Sequence, residues 1–230
     1  MLRPQFIDED PATFHHRDFT TAVLQNNAAL WVPVLTQQKT LVLGSSQPED
    51  SIDSAELAAT GVDLARRRSG GGAVLVSRDD LIWFDVVIGR THHAWDDDVV
   101  RSFDWLGRAT QRAVRTVGHA TDMHEGRLRN SPWSPFVCFA GLGPGELTIR
   151  ADDGSNRKVV GISQRRTRDR ARFQVAILKR WSGAEHGALL SASTDATATE
   201  LDAVAHGIDV SDIVIDAVAE ELSRDPMDRT

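Results

Sequence analysis

The stretch RRRSGGGAV, residues 66–74, decides how this chain is read. Three consecutive glycines, Gly70, Gly71 and Gly72, open backbone dihedrals closed to other residues and let a bound group approach the main chain closely. Their amides can turn inward as an anion-binding nest. Arg67 and Arg68 add fixed positive charge suited to phosphate or carboxylate, and Ser69 adds a hydroxyl. A glycine hairpin with a solvated basic flank accounts for the same letters, because the run lacks the fixed context of the phosphate-binding fingerprints.

Outward from this loop the pattern is one of short strands and turns. Residues 73–76 and 81–88 read as strands joined by the polar turn Ser77-Arg78-Asp79-Asp80. On the other side, strands are expected at 31–35, 41–43 and 62–65, with a helix over 51–59 capped by Ser51 and stopped by Gly61. A helix is also expected over 18–30, with Asp18 as its cap. The strongest helical periodicity runs over 97–117, where Val100, Phe103, Leu106, Ala113, Val114 and Val117 recur at helical steps and Gly118 follows. Residues 130–145 are rich in Pro, Gly and Ser and read as a loop. Three strands, 146–150, 158–164 and 172–179, then precede two helices, 196–206 and 211–222, separated at Gly207. Adjacent hairpins without strict βαβ alternation predict an α+β fold, a mixed and largely antiparallel sheet flanked by helices. The length suits one catalytic domain over 1–230, with the helical segment 183–230 packed on it.

The second informative stretch is KVVGISQRR, residues 158–166. Regular alternation places Lys158, Val160, Ile162 and Gln164 on one face and Val159, Gly161, Ser163 and Arg165 on the other. A lysine opening an apolar strand can stabilise charge developing on an acyl or phosphoryl group, and it can equally be a surface residue at a strand end. Gly161 in mid-strand calls for close approach by a ligand or another backbone. Between the two stretches lies the only cysteine, Cys138, in VCFAGLGPGELTI, residues 137–149. It reads either as a nucleophilic thiol or as a small buried side chain between Val137 and Phe139.

Composition narrows the classes. With 41% hydrophobic and 26% charged residues, the chain matches an ordinary globular protein rather than a disordered one. A formal net charge of -7 argues against nucleic acid as the main partner. No run of apolar residues is long enough to span a bilayer and the N-terminal residues are acidic, so no membrane association and a reducing cytoplasmic location are expected. One cysteine excludes an internal disulfide. The pairs His15-His16 and His92-His93 lack the spacing of a metal site, so no metal is expected.

RRRSGGGAV followed by KVVGISQRR resembles the biotin/lipoate protein ligase superfamily, and more closely its lipoate branch, lipoate–protein ligase A and the octanoyltransferases. LVLGSSQPED, residues 41–50, is similar to an earlier stretch of that branch. The resemblance runs from about residue 18 to residue 180. It implies that Arg67, Arg68, Ser69, Gly70, Gly71, Gly72 and Gly161 line the acyl and nucleotide pocket, and that Lys158 is the essential cation. The implied ligase reaction takes ATP with Mg2+ and lipoate or octanoate to an acyl-adenylate, then transfers the acyl group to a lysine. Implied acceptors are the lipoyl domain of 2-oxoacid dehydrogenase complexes or a glycine-cleavage H-like protein.

VCFAGLGPGELTI resembles the segment of one octanoyltransferase class in which a cysteine takes the acyl group from acyl carrier protein without ATP; there Cys138 would be the nucleophile. Two positions depart from the branch. Val76 stands where a histidine often follows the glycine loop, and Phe173-Gln174-Val175-Ala176 replaces a Gln-His-Gly motif, with Val175 at the histidine. These departures leave a non-catalytic lipoyl-binding homologue as a third reading. The basic run Arg165, Arg166, Arg168, Arg170 and Arg172 reads as a solvated hairpin tip or as a dock for an acidic partner. Among the tryptophans, Trp133 is the candidate for a ligand contact.

Overall fold

A computed structural model describes residues 2–193 and 197–223. In chain order the described elements are β1 (Pro4–Ile7), α1 (Pro11–His16), β2 (Ala28–Pro33), β3 (Thr40–Leu43), α2 (Ser54–Thr60), β4 (Asp63–Arg66), β5 (Val74–Val76) and β6 (Leu81–Gly89). They continue with α3 (Asp104–Thr116), β7 (Asp122–Met123), β8 (Leu147–Arg150), β9 (Asn156–Arg166), β10 (Arg170–Leu178), α4 (Gly183–Ala188), α5 (Thr197–Asp202) and α6 (Ile213–Ser223). Seven strands form the main sheet in the order β1-β2-β6-β10-β9-β8-β7, and a small sheet has the order β4-β3-β5. Among the described strands, β1/β2 and β3/β4 pair in parallel and the other pairs are antiparallel. This is the α+β, largely antiparallel architecture that the hairpin pattern predicts.

Four layers follow from the alternation of side chains along the central strands. On β6, Ile82, Phe84, Val86 and Ile88 face one side, where they meet Leu106, Ala109, Ala113 and Val114 of α3 and Val214 and Val218 of α6. Leu81, Trp83 and Val87 face the other side and meet Val42, Val74 and Val76 of the small sheet. Beyond the small sheet, Leu41, Leu43 and Leu75 pack on Leu57 of α2, Leu190 and Leu201 of α5. The glycine loop, being the link between β4 and β5, is thereby held over the open face of the main sheet.

Several expected elements differ. There is no helix over 18–30. Asp18 instead accepts bonds from Thr20 and Thr21, and Asn26 and Asn27, both at positive φ, close a turn into β2 through Gln25 N to Ala28 O at 2.8 Å. The helix nearby is α1, where Pro11 opens the first turn and Asp10 caps Thr13. Helix α2 is capped by Asp53 rather than Ser51, and Gly61 ends it at φ 66° as expected. The long helix begins at Asp104, not 97, because Asp96 and Asp98 tie up the amides of Asp98, Val100 and Arg101. Ala196, the expected start of a helix, lies outside the described residues, and α5 stops at Asp202 where its carboxylate accepts from Gly183 N. The next residues turn to pair with β9: Lys158 N donates to Val204 O, and His206 N donates to Lys158 O.

A β-bulge corrects the face assigned to Lys158. On β8 the consecutive residues Leu147 and Thr148 face Val160 and Lys158, so Val159 is an extra residue on β9. Val159 and Val160 therefore both enter the core under α3 and α6. Lys158 swings to the face of Gly161, where its Cε would stand 3.4 Å from a β-carbon on that glycine. The bulge is what points the lysine at the glycine loop.

Candidate active site

The glycine loop is built on a buried arginine. Arg67 is 1% exposed, and its guanidinium donates to Val42 O, Gly70 O, Gly72 O and Ser69 Oγ. Its donors point into the loop rather than toward a ligand, so Arg67 sits beneath the cleft instead of lining it. Burial holds this guanidinium below its usual pKa, and the charge of Cys138 works against that shift. Arg68 is exposed and bonds His16.

Ser69 is buried and locks the loop to the main sheet. Its hydroxyl donates to Gln174 Oε1 at 2.7 Å and lies 2.9 Å from Ser163 Oγ. In the sheet register Ser163, Gln174 and Asp85 stand side by side on β9, β10 and β6. Gln174 Nε2 passes the chain on to Asp85 Oδ2 and to His15 Nδ1, each at 3.2 Å. Since an amide nitrogen only donates, His15 accepts at Nδ1. Arg172 completes the row by pairing with Asp85 and donating to the carbonyls of Phe14, His15 and Arg17.

This corrects the reading of the basic run as one solvated tip. Arg172 is 3% exposed and internal, and Arg170 binds the carbonyls of Phe19 and Ala22. Arg166 binds Asp96 O, and Arg165 and Arg168 are the exposed members.

The buried row has a consequence for pH. Burial above all, with Arg67, Arg172 and His16 adding to it, lowers the His15 pKa well below the usual histidine value. His15 is then neutral when folded and takes a proton on unfolding below about pH 6.5. Its contribution is fully present above that pH and declines as pH falls, by up to about 1.4 kcal/mol per pH unit. Buried His186 is shifted in the same direction. Urea midpoints should therefore fall between pH 7.5 and pH 5.5, and fall less in His15→Gln; an equal fall in both proteins would remove His15 from the account.

The segment carrying Cys138 docks alongside the loop. Ala73 N donates to Phe136 O, and Cys138 N donates to Ala73 O. A β-carbon on Gly72 would lie 2.5 Å from Val137 N, so only glycine permits this approach. At Gly71, whose φ is 99°, a β-carbon would stand 2.9 Å from Arg67 Nη2 and 3.5 Å from Cys138 Sγ. The thiol and the buried guanidinium thus flank the same glycine. Cys138 is half-buried in a 3-10 turn, Cys138–Ala140.

Lys158 closes the arrangement from the opposite side. Gly70, Gly71, Gly72, Cys138 and Lys158 line one cleft of about 260 Å³. Phe103, Leu128, Pro144 and Ile162 form its apolar side, and Asn130, Glu146, Ser163 and Gln164 its polar side. The ammonium donates to Cys138 O at 3.0 Å and Gly141 O at 2.8 Å, and lies 2.6 Å from Glu146 Oε2. Glu146 was not singled out by the sequence; a carboxylate in an otherwise apolar and glycine-rich stretch was the signal available. Gly161 does face a close approach, but by the Phe139 ring, which would stand 3.3 Å from a β-carbon there, and by the Lys158 chain.

Other candidates lie elsewhere. Trp133 donates to Glu200 and packs on Phe136, away from the cleft lining. Val175 points into the core under α3 and α6, and Val76 lines a separate cavity with Phe14, His15 and Trp83. Among the described residues no group of three or more His, Cys, Asp or Glu is placed to hold a metal ion. No described helix is long and apolar enough to cross a membrane.

A glycine loop and a strand lysine closing on one cleft, over a largely antiparallel α+β sheet, define a catalytic domain of the biotin/lipoate protein ligase superfamily. The lipoyl protein ligase A/B catalytic domain matches residues 17–223, and the chain belongs to that family. It is similar to the octanoyltransferase LipM of Clostridioides difficile, 27% identical over 119 residues, which is 51% of this chain and 41% of the relative. It is also similar to LipM of Kyrpidia tusciae, 28% identical over 121 residues, 51% and 42% of the two chains. The aligned region thus spans about two fifths of these relatives.

Among solved structures, a bipartite lipoate protein ligase of Thermoplasma acidophilum, studied with its E2 lipoyl domain, superposes with a TM-score of 0.72. The identity is 19%, over 96% of this chain and 82% of that one. Lipoate-protein ligase A bound with ATP gives 0.68 at 19% identity, over 96% and 84%. At these identities the likeness establishes the fold.

Proposed function

We propose that this protein is a cysteine-dependent acyltransferase of protein lipoylation, moving an octanoyl or lipoyl group from acyl carrier protein to a lysine of a lipoyl domain. The observation that carries this reading is the place of Cys138, with its thiol against Gly71 in the cleft that Lys158 closes. The resemblance to LipM octanoyltransferases supports the same chemistry.

In the first step the Cys138 sulfur attacks the donor thioester carbonyl. A new C–S bond forms, the donor C–S bond breaks, and the donor sulfur leaves as a thiolate that takes up the proton given up by Cys138. Arg67, across Gly71, supplies fixed positive charge near the thiolate. In the second step the neutral amine of the acceptor lysine attacks the acyl-Cys138 carbonyl. The amide C–N bond forms, the C–S bond breaks, and the amine proton returns to the sulfur. The apolar side of the cleft, Phe103, Leu128, Pro144 and Ile162, offers a seat for the acyl chain. Arg68, bonded to His16, and Arg165, bonded to Arg68 O, are both exposed and suit an acidic carrier. A lone thiol nucleophile belongs in a reducing compartment, in keeping with a cytoplasmic location. We take residues 1–230 as one catalytic domain, with residues 183–230 as part of it; residues 194–196 and 224–230 of that stretch lie outside the described residues.

A second reading, the ATP-dependent lipoate–protein ligase, is favoured by the triple glycine lining the cleft, with open space beside Gly70. In that reading ATP with Mg2+ would activate lipoate, and the acceptor could equally be a glycine-cleavage H-like protein. Mass spectrometry of an acceptor lipoyl domain separates the two. Octanoyl-acyl carrier protein should yield the lysine adduct without nucleotide; an adduct formed only with ATP and free acid would establish the ligase instead, and none from either donor would favour the non-catalytic homologue.

A further inference from the structure

The side chain that holds Lys158, Glu146, lies in the VCFAGLGPGELTI stretch but was given no role there, and its hydrogen bonds account for how the cysteine turn is held. Glu146 lies just before β8, with its side chain 5% exposed, and the Lys158 side chain is 3% exposed. Three N–H donors converge on the Glu146 carboxylate. Gly143 N and Lys158 Nζ reach Oε2, and Ile162 N reaches Oε1 at 2.9 Å. The ammonium in turn has three N–H groups and three acceptors: Cys138 O, Gly141 O and Glu146 Oε2. It also lies over the Phe139 ring, 5.1 Å from its centroid. No N–H of Lys158 is left over for a ligand in this arrangement.

The connectivity runs in one direction through the site. Glu146 is anchored to the backbone of β9 at Ile162 and to the glycine-rich loop at Gly143. It fixes the ammonium, and the ammonium fixes the carbonyls of Cys138 and Gly141, the first residue of the 3-10 turn and the residue that ends it. That turn presents the thiol to Gly71.

We propose that Glu146 is a positioning residue: as an ionised carboxylate it clamps Lys158 onto the Cys138 turn, and Lys158 acts first as a brace for the nucleophile. The proposal rests on the acyltransferase reading above and adds to it the origin of the nucleophile's geometry. A carboxylate is required because all three converging groups are donors. Glutamine offers one acceptor oxygen, so its NH2 must confront either the Ile162 amide or the pair formed by Gly143 N and the ammonium. Aspartate keeps the acceptor set with a shorter reach. Loss of the carboxylate also leaves a buried ammonium with only two neutral carbonyls, and it will move toward water in the cleft, releasing the turn.

The test compares wild type, Glu146→Gln, Glu146→Asp and the paired variant Glu146→Leu with Lys158→Met. Single-turnover acylation of Cys138 by octanoyl-acyl carrier protein is followed by intact mass, beside urea midpoints. Glu146→Gln should slow acylation by about 10- to 100-fold with the donor KM held within about threefold, since the loss is of alignment rather than of binding. Glu146→Asp should recover part of the rate. The paired variant buries no charge, so it should regain stability without regaining rate.

A purely structural role would lower the urea midpoint of Glu146→Gln while leaving the rate per folded molecule unchanged, and that result would overturn the proposal. So would a paired variant with the wild-type rate. Alkylation of Cys138 by iodoacetamide needs no substrate and separates this inference from the functional one. If wild type accepts no acyl donor, the functional reading fails, yet a changed alkylation rate in Glu146→Gln still supports the clamp. Equal alkylation rates in the two proteins would refute it.

Discussion

Cys138→Ser should leave a folded protein whose acyl transfer is slower by at least about 10³-fold. The substitution is close to isosteric and the side chain is half-buried at the cleft, so the packing of Val137 and Phe139 in the neighbouring clusters is untouched. What changes is the nucleophile: a serine hydroxyl beside Gly71 has no neighbouring histidine base in the cleft lining to activate it. A serine ester, if it formed, would also resist the acceptor amine more than a thioester does. The effect is read as acceptor adduct per minute, at matched far-UV circular dichroism. Near-wild-type turnover by the serine variant, dependent on ATP, is the outcome expected of the ligase route.

The second large effect is on stability. Arg172→Leu removes the partner of Asp85 inside the protein, where Asp85 is 0% exposed and Arg172 3%. Burial already pushes the Asp85 pKa up, against the opposing pull of Arg172, Trp83 and Gln174. Without the guanidinium the carboxylate is an uncompensated buried charge, a change that costs about 3–5 kcal/mol. The carbonyls of Phe14, His15 and Arg17 lose the guanidinium donor at the same time, which loosens the segment carrying α1. A fall in Tm of roughly 10 °C is expected for a chain of this size. Asp85→Leu combined with Arg172→Leu should recover part of it, because no charge then remains buried. A single variant within about 1 kcal/mol of wild type would mean that the row does not carry the packing of the N-terminal segment.

How much of this was legible beforehand depends on whether the determining contacts are local. The glycine loop and the Lys158 strand could be read because each is a short pattern whose backbone requirement is written in its own letters: Gly71 at φ 99° and Gly72 against Val137 permit no side chain. The hairpin of β9 and β10 and the stop at Gly61 were legible for the same reason. The helix expected over 18–30 failed because Asn26 and Asn27 prefer a left-handed turn, which outweighs a weak apolar spacing. Regular alternation misplaced Lys158, since a bulge is decided by the partner strand β8 and not by β9 alone.

The buried row is the most instructive miss. Ser163, Gln174 and Asp85 are far apart in sequence and adjacent only through the strand register. Asp85 in LIWFDVVI and Gln174 with Arg172 in RFQVAIL were visible as polar residues interrupting apolar strands, and that interruption marked the face on which the glycine loop docks. Glu146 escaped because its meaning comes from three N–H donors converging on it, one from its own loop and two from β9. The acceptors of a buried lysine are set by the tertiary fold and not by its neighbours in sequence.

The central claim is that the thiol on the 3-10 turn is the atom that accepts the acyl group. Incubation with octanoyl-acyl carrier protein, acid quenching before any lipoyl domain is added, and peptide mapping of the product test it most directly. The octanoyl mass is expected on the peptide containing Cys138, sensitive to neutral hydroxylamine, and it should discharge onto the acceptor lysine when the lipoyl domain follows. An acceptor that becomes acylated while the Cys138 peptide never carries the group would contradict the account.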